Sequence, residues 1–238
     1  MLRTILVYLS AIVLYLTVLP FICLYWPFSK DKEFPFLMST IFWGGNLMKV
    51  AGVNITVHGK ENIRKLPERV VFISNHASYF DIPILITILP LGCRFVARED
   101  LFRAPFLGWI TRNSGHISIE RKGTKKTLQT MLKTAEKVKN GLKVIIFPEG
   151  SRSPDGQIAE FKKGTLLLAT RGDAHIVPIA ISGSHKIMAK NKLLVSPTRI
   201  KVTIGKAIAP AEFVGKEESD ILADLKDQIS EMAGQSHK

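Results

Sequence analysis

Cysteine is scarce in this chain: two residues in 238, Cys23 inside an apolar run and Cys93 beside Gly92, with no Cys-x-x-Cys spacing. That excludes a disulfide framework and suits a reducing compartment or simple burial. The six histidines are scattered, and no His/Cys cluster has zinc spacing. No metal and no other cofactor is expected. Lys162-Lys163-Gly164 resembles the end of a phosphate loop but lacks the first glycine, so no nucleotide site is expected either. Acidic side chains are also in short supply, with 20 Asp and Glu against 33 Lys and Arg, a net charge of +13. From position 94 to 171 there are sixteen basic residues against seven acidic ones, an excess of nine. Helix-turn-helix, zinc-finger and aromatic stacking motifs are missing, which argues against nucleic acid as the partner. Anionic lipid headgroups, a phosphate-bearing substrate or an acidic carrier protein account for the basic excess better.

Charge is missing altogether from residues 4–29, a run of 26 positions between Arg3 and Lys30. Its length suits a transmembrane helix, but Pro20 and Pro27 interrupt it. The 16 residues before Pro20 reach roughly 24 Å at about 1.5 Å each, short of the ~30 Å hydrocarbon core. A second apolar stretch, 34–50, has Lys49 as its only charge and Gly44-Gly45 near its centre. Two short hydrophobic helices joined through 26–32 predict a hairpin sunk in one leaflet, with Trp26, Trp43 and the flanking lysines at the interface. A single span kinked at proline is the alternative. A cleaved signal peptide is not expected, because no small-x-small site follows the run. Bulky Ile22 before Cys23 argues against a lipoprotein site.

Past Val53 the pattern changes to short β-branched runs separated by helical stretches. Strands are expected at 54–58, 70–74, 94–97, 116–119, 143–147, 176–181 and 200–204. Helices are expected at 82–89, 105–112, 125–139, 162–171 and 219–232, with Asp81 a candidate cap for the first. In 125–139, Leu128, Met131, Leu132, Ala135 and Val138 form an apolar stripe opposite lysines. The alternation predicts an α/β fold with the sheet flanked by helices, and 54–58 running towards 70–74 predicts that the central sheet is mixed. The expected organisation is a hydrophobic membrane-associating hairpin at 1–50, an α/β domain at 51–214 and a C-terminal helix and tail at 215–238.

Two motifs follow strand-like runs. Asn75-His76-Ala77-Ser78-Tyr79-Phe80-Asp81 sets an imidazole and a carboxylate five residues apart on a loop leaving a strand. A carboxylate that accepts from one ring nitrogen fixes the tautomer and frees the other nitrogen to take a proton. Phe147-Pro148-Glu149-Gly150-Ser151-Arg152 leaves a second strand, with Gly150 permitting a tight loop. Ser78, two residues from His76 and outside any Gly-x-Ser-x-Gly elbow, is expected to bond local backbone rather than act as a nucleophile.

In four ordered blocks the chain resembles the glycerolipid acyltransferase family, and most of all its 1-acylglycerol-3-phosphate (lysophosphatidate) acyltransferases. The blocks are His76-x4-Asp81, Gly115-x5-Arg121, Glu149-Gly150-Ser151-Arg152 with Ser where the family has Thr, and Val177-Pro178-Ile179. They lie between residues 75 and 179, under half the chain. The resemblance implies transfer of an acyl group from a thioester, on acyl-carrier protein or acyl-CoA, to the sn-2 hydroxyl of 1-acyl-sn-glycerol 3-phosphate, giving phosphatidate. His76 would be the general base and Asp81 its orienter, with no acyl-enzyme. Arg152 would grip the substrate phosphate, helped by Arg121 and Lys122. Glu149 would bind the glycerol region or order Arg152, and Gly150 and Ser151 complete that loop. Val177-Pro178-Ile179 would be core or channel wall. The expected location is the inner cell membrane, among its phospholipids, with the catalytic domain on the cytoplasmic side. Acylation of glycerol 3-phosphate or another lysolipid, and a non-catalytic lipid-binding protein, are the competing readings.

Overall fold

Three of the apolar runs bury both of their faces, and this decides the architecture. In the computed structural model, which describes residues 1–105, 107–120, 125–188 and 192–235, the strands are β1 (Val53–His58), β2 (Val70–Ser74), β3 (Arg94–Arg98), β4 (Ile117–Ile119), β5 (Val144–Ile146), β6 (His175–Ser182) and β7 (Thr198–Ile204). The helices are α1 (Leu2–Tyr25), α2 (Phe34–Ala51), α3 (Asp81–Ile88), α4 (Glu99–Arg103), α5 (Leu107–Asn113), α6 (Lys125–Lys139), α7 (Leu167–Gly172) and α8 (Glu218–Ala233). Every residue of β2 and of β5 is buried, as is the middle of β6, which is what near-continuous β-branched runs require of a sheet covered on both sides.

The sheet order is β1-β7-β6-β2-β5-β3-β4. All neighbours are parallel except β6 and β7. The sheet is therefore mixed as expected, but through the β6–β7 pair; β1 and β2 are not neighbours. Alternation along β2 splits the core. Phe72 joins Leu47, Met48, Ala51, Ile84 and Leu85 on the face covered by α1, α2 and α3. Val71 and Ile73 join Met131, Ala135, Val138, Leu168, Leu222 and Leu225 on the face covered by α6, α7 and α8. Truncating a fully buried side chain such as Phe72 to Ala would cost about 3–5 kcal/mol.

The hairpin is present, and its helices run antiparallel. Trp43 Nε1 donates to the Ala11 carbonyl at 3.3 Å, and Arg3 Nη1 donates to that of Ala51 at 3.4 Å. One expectation is corrected: Pro20 does not end the first helix, which runs 24 residues to Tyr25. Val18 and Ile22, on either side of Pro20, are both buried in one cluster with Phe36, against which Trp109 packs. Tertiary contacts thus hold both halves where the missing N–H alone would favour a break. At about 1.5 Å per residue α1 reaches roughly 36 Å, past the ~30 Å hydrocarbon core. It is a helix long and apolar enough to cross a membrane. The hairpin also packs into the fold beneath it. Gly44 approaches the Pro83 ring so closely that a Cβ there would lie 3.1 Å from it, and Glu33 in the connecting loop pairs with the buried guanidinium of Arg94.

Three smaller readings change. Leu128 and Leu132 are exposed, so the buried stripe of α6 narrows to Met131, Thr134, Ala135 and Val138. Phe80 precedes α3 and Asp81 is its first residue, so Asp81 does not cap the helix. Residues 99–103 form a helix too short to show periodicity, with an Arg103–Glu99 pair at 2.9 Å across its single turn.

Candidate active site

Both motifs leave the carboxyl ends of adjacent parallel strands, β2 and β5, whose register pairs Ile73 with Ile146. Ligands of open α/β sheets bind at such ends. Two hydrogen bonds zip the loops together. The His76 N–H donates to Glu149 Oε1 at 2.7 Å, and the Ser153 N–H donates to the His76 carbonyl at 2.8 Å. Both backbone polar groups of His76 are thereby held by the second loop. Asn75 ties the first loop to β6 on its other side, donating to the Ile181 carbonyl at 2.9 Å and accepting from the Ile181 N–H at 2.7 Å.

Asp81 is fully buried, and its Oδ2 gathers three donors: His76 Nδ1 at 2.8 Å, the Ala77 N–H at 2.7 Å and the Ser78 N–H at 2.8 Å. Backbone N–H groups only donate, so Oδ2 acts as acceptor and the Nδ1 proton points to it. Nε2 is left as the acceptor nitrogen of an imidazole that is 16 % exposed. The ring lies on Phe147, with centroids 4.1 Å apart and planes inclined by 17°. Phe147 in turn faces Phe95, and Phe95 meets His116 edge-on at 5.6 Å. Phe147 is a support that motif reading passed over, although it opens the second motif. His116, at the far end of these rings, accepts from the Phe95 N–H at 3.2 Å. Burial, with Arg94 nearby, pushes its pKa down to about 4.

Glu149 is buried as well. Its second oxygen accepts from the Ala159 N–H at 3.1 Å, so each oxygen holds a backbone group. Burial pushes its carboxyl pKa up, and the two N–H donors pull against that. Its place is under His76, bracing the loop, and its oxygens turn to these amides rather than to Arg152. Gly150 adopts a positive φ of 67°, and any Cβ there would run into the Lys162 side chain. Ser151 is exposed beside it. Arg152 lies with its guanidinium carbon 3.4 Å from the centre of the Tyr79 ring, and its buried Nη1 has no hydrogen-bond partner. Ser78 accepts locally from the Phe80 N–H, as expected, and also donates to the distant Met188 carbonyl, both at 3.3 Å. Val177, Pro178 and Ile179 are core of β6. Arg121 and Lys122 lie outside the described residues.

The two loops thus place an imidazole with an oriented tautomer, a braced backbone and a guanidinium with an unpartnered Nη1 at one end of the sheet. A family model described as Acyltransferase matches residues 54–182. The chain belongs to the acyltransferase family. Among relatives, a Limnanthes douglasii protein named 1-acyl-sn-glycerol-3-phosphate acyltransferase is 34% identical over 67% of this chain and 56% of its own length. Proteins of the same name from Saccharomyces cerevisiae and Borreliella burgdorferi are 31% and 28% identical, over 75% and 76% of this chain and 59% and 72% of theirs. The chain thus spans little more than half the length of the plant relative. The crystal structure of the 1-acyl-sn-glycerophosphate (LPA) acyltransferase PlsC from Thermotoga maritima superposes with a TM-score of 0.82. It covers 98% of this chain and 95% of that one at 24% identity, a likeness of fold.

Proposed function

We propose that this acyltransferase-family protein moves an acyl group from a thioester to the sn-2 hydroxyl of 1-acyl-sn-glycerol 3-phosphate, making phosphatidate. The observation that carries the reading is the single Asp81 oxygen holding His76 Nδ1 and two backbone N–H groups, which leaves Nε2 to work as a base. Nε2 takes the hydroxyl proton as that oxygen bonds to the thioester carbonyl carbon. Asp81 stabilises the imidazolium that results. The carbon–sulfur bond breaks, and the imidazolium returns its proton to the departing thiolate. The lipid hydroxyl is itself the nucleophile, so no acyl-enzyme forms.

Arg152 holds the phosphate, since a guanidinium binds two of its oxygens at once. Gly150 and Ser151 shape the loop that meets it, and Arg121 and Lys122 add positive charge. Glu149 contributes by bracing the His76 backbone. The donor is acyl-carrier protein or acyl-CoA. The hairpin sits in the inner membrane, because α1 turns Ile5, Leu9, Ile12, Val13 and Leu16 outward, each more than half exposed. The sheet then faces the cytoplasm, where thioester donors are made.

The test uses full-length protein in detergent, given lysophosphatidate with each thioester in turn and the products identified by mass. Phosphatidate from at least one donor, lost in His76→Ala, is the expected result. Free fatty acid as the sole product would make it a thioesterase instead.

A further inference from the structure

Tyr79 occupies one of the four positions between His76 and Asp81, where the proposed chemistry asks nothing of it. The residue is 56 % exposed, which is unusual for an aromatic in a loop whose other groups are tied down. Arg152 covers its face, with the guanidinium carbon 3.4 Å from the ring centre. No hydroxyl hydrogen bond anchors it among the described residues. Arg152, for its part, makes no ion pair or hydrogen bond through its guanidinium among the described residues, and its buried Nη1 is unpartnered.

The two observations fit one geometry. A guanidinium has two kinds of surface: a flat face that stacks on aromatic rings, and an edge that carries five N–H donors. Stacking uses the face and leaves every donor free. A carboxylate could also hold an arginine still, but it would occupy the edge and cancel the charge. Glu149, three residues away in sequence, turns both oxygens to backbone amides instead. The ring thus restrains the long side chain without competing with a ligand.

We propose that Tyr79 is a positioning residue for the phosphate of the acyl acceptor. It holds the Arg152 guanidinium flat, so that its N–H edge meets the phosphate ready-oriented. The inference rests on the phosphate-binding reading of Arg152. It adds a consequence: one short loop carries the base, its orienter and the holder of the phosphate grip. Capture of the phosphate and placement of the hydroxyl near His76 are then mechanically linked. Pre-ordering the grip lowers what binding must supply in side-chain entropy.

The experiment is steady-state kinetics on the full chain in detergent with lysophosphatidate and a fixed thioester. The variants are Tyr79→Leu, Tyr79→Phe, Arg152→Ala and the Tyr79→Leu/Arg152→Ala double variant. Tyr79→Leu should raise KM for lysophosphatidate about two- to fivefold, the size of an exposed cation–π contact, with kcat and the KM for the thioester little changed. Tyr79→Phe keeps the ring and should match the wild type. In the Arg152→Ala background, Tyr79→Leu should add nothing. Unchanged KM in Tyr79→Leu while Arg152→Ala raises it would overturn the role of Tyr79 and leave the phosphate reading standing. A Tyr79→Leu effect that persists in full without Arg152 would overturn it too, placing the ring against the lipid itself. If Arg152→Ala leaves the KM for lysophosphatidate unchanged, the phosphate reading and this inference fall together.

Discussion

The loops that follow β2 and β5 stand side by side at the same end of the sheet, yet they treat their charged groups in opposite ways. In the first, the His76 backbone is held at both its N–H and its carbonyl, its Nδ1 is held by Asp81, and its ring rests on Phe147. In the second, Arg152 stacks its guanidinium on the Tyr79 ring, and among the described residues its buried Nη1 has no hydrogen-bond partner. A base must be in place before the reaction, since reorienting it would add to the barrier. A binding group must keep its hydrogen-bonding capacity for the ligand. The first loop fixes its imidazole at Nδ1 and at the backbone, although the buried Asp81 Oδ1 has no hydrogen-bond partner among the described residues, and the second leaves Arg152 Nη1 without one; on the proposed reading that contrast separates chemistry from recognition.

The sharpest way to break this contrast is His76→Ala. A rate loss of about 10²–10⁴-fold is expected for removal of a general base, with the fold retained and the thermal unfolding midpoint somewhat lowered by loss of the Asp81 hydrogen bond and the Phe147 contact. Turnover within tenfold of the wild type would remove His76 from the mechanism. Next comes Arg152→Ala, expected to lower kcat/KM for lysophosphatidate by roughly 1.5–3 kcal/mol, with at most a small loss of stability from its contact with Tyr79. Arg152→Lys should restore part of it, since a point charge lacks the fork. Equal rates with lysophosphatidate and an uncharged monoacylglycerol would end the idea of a phosphate grip.

Asp81→Asn probes how the first loop is held. One oxygen takes all three donors, so an Asn carbonyl can stand in its place and keep the tautomer. What goes is the charge that stabilises the imidazolium, so kcat should fall, but by less than in His76→Ala. A loss as large as that of His76→Ala would mean that geometry fails as well. The smallest effect concerns the other histidine of the ring series. The pKa of His116 is lowered from 6.5 to about 4 by burial, so the unfolded chain binds its proton first as pH falls. Its contribution to stability is complete above pH 6.5 and is lost as pH drops from there through 4. Between pH 7.5 and 5.5 the wild type should lose about 1.3 kcal/mol more than His116→Gln, by denaturant unfolding. No difference between the two would mean that His116 is not held neutral in the fold.

Much of this arrangement was legible from pattern. The β-branched runs at 70–74 and 176–181 coincide with β2 and β6 to within a residue at each end, because strands buried on both faces must be apolar throughout. The amphipathic 125–139 run is α6. The spacing and the resemblance put His76 with Asp81, and the two side chains stand 2.8 Å apart. Less legible were features that depend on what packs alongside. Pro20 reads as a break, and only the cluster of Val18, Ile22 and Phe36 carries the helix past it. Asp81 reads as a cap, but its carboxylate folds back over the preceding turn. Glu149 and Arg152 invite pairing on paper, whereas burial beneath His76 turns the carboxylate away.

By itself, then, the sequence determined the α/β alternation, the apolar amino-terminal hairpin and the residue types at the two strand ends. These depend on local periodicity and on groups a few residues apart. Tertiary structure decided which loop meets which. Glu149 reaches His76 from 73 residues away, and Tyr79 reaches Arg152 only because β2 and β5 are neighbours in the sheet. Strand order brings those side chains together, and strand order is set by how helices cover two faces of a common core, a global balance of burial that no short window of residues contains.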